Sequence, residues 1–123
     1  MGKNNFALCI LLALSVCGCG EKRPLSELRN EKSGLYVEKT FDISIDKIKS
    51  RIKDDAFNNG SLLKYQENAS GDKITLVRQI DTDGTVMCFF DYQKDNNGIK
   101  LTVYNYICSK SFIEETISKT VGY

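Results

Sequence analysis

Cysteine is the chemically loaded residue of this chain, and histidine is missing from it altogether. The cysteines stand at positions 9, 17, 19, 88 and 108, three crowded near the start and two well apart in the second half. Without histidine there is no Ser-His-Asp or Cys-His nucleophile pair, no imidazole metal ligand and no general base of the commonest kind. Cys88 and Cys108 alone cannot fill the four positions of a structural zinc site. No metal is expected. A Gly-rich loop between strand and helix, the cradle of a nucleotide phosphate, is also lacking, so no cofactor is expected.

The carboxylates point the same way. Asp81-Thr82-Asp83-Gly84 has neither the sixth-position glycine nor the late glutamate of an EF-hand loop, and reads as an ordinary Asx turn. Asp54-Asp55 and Glu114-Glu115 are neighbours on helical patterns, so each pair splays to different faces instead of converging on a shared proton. The chain is read as a non-enzyme.

The first group of cysteines closes an export signal. Lys3 and the amino terminus supply positive charge, residues 6–16 are almost wholly apolar, and small residues follow. The apolar stretch is shorter than the roughly 20 residues a membrane span needs. Its end, Val16-Cys17-Gly18-Cys19, resembles the lipobox of bacterial lipoproteins, with an aliphatic residue at −3, a small residue at −1 and the acceptor cysteine. The resemblance implies cleavage before Cys19, S-diacylglycerol on its thiol and acylation of the freed amine. Several chains are needed because each buried methylene is worth only ~0.8 kcal/mol and one chain holds reversibly. Cys17 is a poorer acceptor, since branched Val16 would occupy its −1 position. An ordinary secretory signal is the competing reading, and N-myristoylation fails because Phe6 stands where Ser or Thr is wanted. In the same family an Asp after the cysteine retains the protein at the inner membrane. Gly20 stands there, which implies an outer-membrane address facing the periplasm.

Removing residues 1–18 leaves about 105 of the 123 residues, enough for one domain. The chain carries 17 basic and 16 acidic residues, all but Lys3 of them beyond the signal, so the mature part is near neutral. No basic stripe of the kind nucleic acid requires is present. Residues 19–33, polar and with the only proline, are expected to be a lipidated N-terminus and flexible tether reaching about 20 Å at random-coil dimensions. A helical turn around Leu25 and Leu28 is the alternative there.

Residues 34–123 are expected to form a single small α+β domain. Leu35, Val37, Phe41 and Ile43 alternate as in a half-buried strand. Ser44 caps a helix carrying Ile45, Ile48, Ile52, Ala56 and Phe57 on one face, stopped by Asn58-Asn59-Gly60. The period then falls to two over residues 62–67, 73–80, 85–93 and 99–107, with an Asn-Gly hairpin signal at Asn97-Gly98. Ser111 to Glu114 fits a capping box, opening a C-terminal helix with Ile113, Ile117 and Val121. The order β-α-β-β-β-β-α predicts an antiparallel sheet of about five strands, one crossing helix and a C-terminal helix, loosely resembling helix-grip domains in element order alone.

On the last hairpin, Val86, Cys88, Phe90 and Tyr92 are expected to share a face with Ile99, Leu101, Val103 and Ile107. Cys88 and Cys108 are a disulfide pair in an oxidising compartment, or two buried thiols. Strand alternation turns Cys108 away unless a bulge shifts the register. The opposite face presents Lys100, Thr102, Tyr104 and Tyr106, either outward as a partner-contact surface or packed under the C-terminal helix. Two functions follow. The domain binds an envelope protein as adaptor, assembly accessory or inhibitor, or it carries a small apolar ligand or lipid between helix and sheet.

Overall fold

In the computed structural model of the chain, residues 20–54, 63–80 and 82–122 are described. Their elements run α1 (Leu25–Glu31), β1 (Leu35–Phe41), α2 (Ile45–Lys53), β2 (Leu63–Glu67), β3 (Lys73–Gln79), β4 (Val86–Asp95), β5 (Gly98–Asn105) and α3 (Lys110–Val121). The strands form one antiparallel sheet in the order β1-β5-β4-β3-β2. The fold class is α+β, as the periodicity predicts. Because β1 and β2 lie at opposite edges, α2 must cross the sheet between them.

One face of the sheet carries the main core. Ile45, Ile48 and Ile52 of α2 and Ile113 and Val121 of α3 pack with Leu76, Phe90, Tyr92, Leu101 and Val103. Tyr92 is fully buried, and its hydroxyl lies 2.9 Å from Thr120 Oγ1 of α3. Thr116 and Thr120 enter the core beside the expected stripe, satisfied by bonds back to Phe112 O and Thr116 O. Burial alone drives the Tyr92 phenol well above its ordinary range, the bond to Thr120 opposing it.

Ser44 caps α2 by accepting the Lys47 N–H at 3.2 Å. The helix ends at Lys53 with Asp54 as its cap. Ala56, Phe57 and the Asn58-Asn59-Gly60 stop lie outside the described residues. At α3 the capping box does not form. Ser109, not Ser111, is the cap: its backbone is extended and its Oγ accepts the Phe112 N–H at 3.2 Å. Asn97-Gly98 also works differently from the expected turn. Asn96 takes the left-handed conformation at φ 55°, Asp95 pairs with Gly98, and Gly98 is the place where Phe41 O approaches so closely that no Cβ fits.

The largest departure is at residues 20–33. The expected tether is folded over residues 20–33: Pro24, which has no N–H to lose, precedes a seven-residue helix whose Leu28 is fully buried. Leu28 inserts among Val77, Val86, Phe89 and Tyr104 on the second face of the sheet. An apolar patch on that face, which the period-two pattern leaves open, is what draws the helix down.

Candidate functional site

Two places concentrate the residues singled out by sequence. The first is the point where the chain enters the sheet. Glu21 forms an antiparallel bridge with Val86, the amides and carbonyls exchanging bonds of 3.0 and 2.6 Å. Gly20 beside it has φ 74°, and a Cβ there would lie 2.6 Å from Thr85 Cγ2 and 2.7 Å from Val86 O. Glycine is therefore required at this position by packing. Arg23 then ties Glu21, Glu27 and Glu31 together, raising the guanidinium further above its ordinary range. Cys19 itself lies outside the described residues, but its neighbour is already part of the fold.

Cys88 and Cys108 are joined as a disulfide, with Cα atoms 6.0 Å apart. The facing problem disappears because β5 ends at Asn105. Asn105 Oδ1 accepts the Cys108 N–H at 2.9 Å and its Nδ2 donates to Cys108 O at 3.1 Å. That local turn, freed from strand alternation, returns Cys108 to the core face. Ile107 is accordingly not a strand residue, and it does not join the face expected for it. Val86 also departs from that face: the register slips between Arg78 and Gln79, placing Val86 with Phe89 and Tyr104 in the second cluster.

The second place is the face covered by α1. Of the four expected contact residues, Lys100 is exposed and pairs with Glu38 at 3.1 Å, helping hold that carboxylate below its usual range. Thr102 is buried, 9 % exposed. Tyr104 is 3 % exposed and stacks on Phe89 with ring centroids 4.4 Å apart. The Tyr106 hydroxyl donates to Ser33 O. The two tyrosines are thus not an outward surface. They pack under the N-terminal helix, not the C-terminal one, because the segment read as a tether supplies a cover.

Beyond α1 the same face turns polar. Arg29 Nε and Nη2 donate to the two oxygens of Asp91 at 2.7 and 2.9 Å, and Nη2 also reaches Thr75 Oγ1 at 3.0 Å. Thr75 Oγ1 donates to Asp91 at 2.7 Å. Asp91 is 6 % exposed, so every oxygen it has must be used inside the protein. Beside this cluster opens a hollow of about 210 Å³ lined by Arg29, Gln66, Glu67, Asn68, Lys73 and Thr75. Neither Arg29 nor Asp91 was singled out from sequence. The available signal was a lone carboxylate inside the apolar run from Phe89 to Tyr92, which demands a partner.

The other carboxylates are surface groups. Asp83 Oδ1 accepts the Thr85 N–H at 2.9 Å, the Asx geometry expected of that turn, while Asp81 lies outside the described residues. Glu114 and Glu115 pair with Lys110 and Lys119 along α3 at 3.9 and 3.1 Å. Among the described residues no group of three or more Cys, Asp or Glu side chains is placed to hold a metal, and no helix is long and apolar enough to cross a membrane. No protein-family model matches the chain, and no curated protein or solved structure matches it either.

Proposed function

We propose that the chain is a cell-envelope lipoprotein, acylated on Cys19 and facing the periplasm from the outer membrane, whose domain binds a protein partner. The observation that carries this reading is the junction at Gly20. The lipobox ends just before Gly20, which is packed against Thr85 and Val86, so cleavage before Cys19 would keep every described residue of the domain. A bonded Cys88–Cys108 pair supports an oxidising compartment.

The partner surface is the uncovered half of the α1 face, around the 210 Å³ hollow. Lys73, Gln66 and Asn68 rim it, and Gln93 and Lys100 continue it across β4 and β5. Such a mixed polar surface suits a protein rim more than a lipid tail. Among the described residues, neither this hollow nor a second one supports the carrier reading. The second, of about 200 Å³, is lined by Ser44, Ile45, Asp46, Lys94, Asn96, Asn97 and Gly98, with Ile45 its one large apolar side chain, where an apolar ligand needs several.

Labelled palmitate tests the anchor: the native chain takes it up and Cys19→Ser does not, whereas label retained by Cys19→Ser rejects the assignment. Photocrosslinking from Lys100 in intact envelopes tests the surface. One defined protein adduct, lost on Lys73→Glu, is the expected result, and lipid-only adducts would reject a protein partner.

A further inference from the structure

We propose that two copies of this chain pair edge to edge through β2, joining their sheets about a two-fold axis that passes between Gln66 and Gln66 of the second copy. Neither the lipid anchor nor the partner surface proposed above is required for it.

β1 and β2 are the edge strands of the sheet, and they differ as edges. In β1 the register slips between Leu35 and Val37, a bulge of the kind that turns an edge away from further pairing. β2 pairs with β3 in unbroken register from Leu63 to Glu67. Lys64, Tyr65, Gln66 and Glu67 are all exposed. Among the described residues no strand lies beyond them.

Backbone direction decides which groups this edge offers. The Asn68 N–H bonds Lys73 O at 3.1 Å, and the Lys94 N–H bonds Asp72 O at 2.8 Å. In an antiparallel ladder the bonding direction alternates along each strand. Lys64 and Gln66 therefore turn their amides and carbonyls toward β3, whereas Tyr65 and Glu67 turn theirs outward.

Side chains opposed across a ladder share a face, so a strand that pairs with its own copy about a two-fold must set one residue opposite itself. Centring on Lys64 or on Glu67 brings like charges face to face, which is destabilising. Centring on Leu63 leaves Tyr65 and Glu67 beyond the end of the opposing strand, and centring on Tyr65 sets the Glu67 carboxylate against Leu63. Centring on Gln66 opposes Tyr65 to Glu67, Lys64 to Asn68 and Gln66 to itself, with no like charges opposed. In that register the outward amides and carbonyls of Tyr65 and Glu67 exchange bonds across the seam. The phenol and the carboxylate are matched chemically too: Tyr65 already donates to Glu67 of its own strand at 2.6 Å, and Lys49 balances that carboxylate at 2.9 Å. The two hollows that Gln66 lines come to lie on either side of the seam.

Gln66 meets its copy at a non-hydrogen-bonded position, where Cα atoms stand about 4.5 Å apart, inside the roughly 4.4–6.8 Å that a disulfide spans. Lys64 and its copy are offset by about 13 Å along the seam. Full-length Gln66→Cys, Lys64→Cys and unchanged chains are therefore expressed in cells, oxidised mildly and separated without reductant. The expected result is a covalent dimer from Gln66→Cys, several-fold above the other two. No dimer from Gln66→Cys, or as much from Lys64→Cys or the unchanged chain, overturns the pairing. Co-capture of two differently tagged full-length copies reads the same seam without a new thiol. Gln66→Lys in both copies should lower recovery several-fold, because it opposes two ammonium groups, and Gln66→Lys in one copy with Gln66→Glu in the other should restore it. Undiminished recovery with lysine on both sides, or none with opposite charges, also overturns the proposal.

Discussion

Arg29, from the helix that precedes the sheet, holds both carboxylate oxygens of Asp91 in the middle of β4, at 2.7 and 2.9 Å. The pair fastens α1 to the sheet, and its acidic half is nearly enclosed while its basic half keeps some access to water, at 8 % and 26 % side-chain exposure. Arg29→Ala should therefore leave a carboxylate stranded with only Thr75 and lower stability by about 2 kcal/mol. The double variant Arg29→Ala, Asp91→Ala should recover part of that loss. Denaturant unfolding of the four proteins of the cycle gives the coupling directly, and additive losses would show that the pair does not hold the helix.

The Cys88–Cys108 bond spans a sequence separation of 20. Restricting an unfolded loop of that size is worth about 3 kcal/mol. Replacing both cysteines with Ala should lower the unfolding free energy by that order, with the fold retained by circular dichroism. Free-thiol titration of native and denatured protein checks the bond itself, and two reactive thiols in the unreduced denatured chain would contradict it.

Gly20→Ala should cost about 2 kcal/mol, because it forces a side chain into a left-handed backbone already in contact with Thr85 and Val86. Faster hydrogen exchange at the Val86 amide would report the broken bridge. Substitutions made here to alter sorting would therefore alter the fold as well, and a mislocalised Gly20 variant needs an exchange measurement before its address is interpreted.

Ser109→Ala should destabilise α3 by about 1 kcal/mol through loss of its cap. Ser111→Ala, inside the helix, should change stability by a few tenths at most. Thermal unfolding of the two single variants separates them, and the reverse order would restore the capping box.

Glu67 is held below the usual carboxylate range first by the Tyr65 hydroxyl and then by the Lys49 ammonium. Tyr65 is pushed up to about 12, by burial first and by Glu67 second. A lowered acid contributes stability above its unfolded value of about 4.3, lost as pH falls through the lowered one. A raised phenol contributes fully below about 10 and loses it as pH rises through about 12. Tyr65→Phe should thus make the acid limb of a Tm–pH profile shallower and remove this group from the alkaline limb. Unchanged limbs would mean the bond does not persist in solution.

The strands and the main core were legible because alternation is a local signal: Phe90, Tyr92, Leu101 and Val103 all occupy the face their spacing predicts. Ser44 was legible for the same reason, the cap and its amide lying three residues apart. What could not be read locally was the second face. Leu28 and Tyr104 look like a tether residue and an outward tyrosine until the helix meets the patch it covers, and that meeting joins distant segments. Val86 and Ile107 went astray where a register slip and an Asn105 turn interrupted the alternation. At the candidate site, Lys100 stands exposed as expected, while the Arg29–Asp91 pair depends on residues 62 apart in sequence.

The strand order β1-β5-β4-β3-β2 sets a timetable. Strands β2 to β5 form a meander of neighbours that can zip up from short loops, but β1 finds its only described neighbour in the last strand, with Glu38 opposite Thr102 across a separation of 64 residues. A chain made amino terminus first delivers β1 at the outset and β5 near the close. The earliest strand to arrive must wait with its edge open until almost the whole domain has been made. Closing so long a loop is the slow kind of step, and a helper that shields β1 during that interval would act on the nascent protein without leaving a mark on the finished fold.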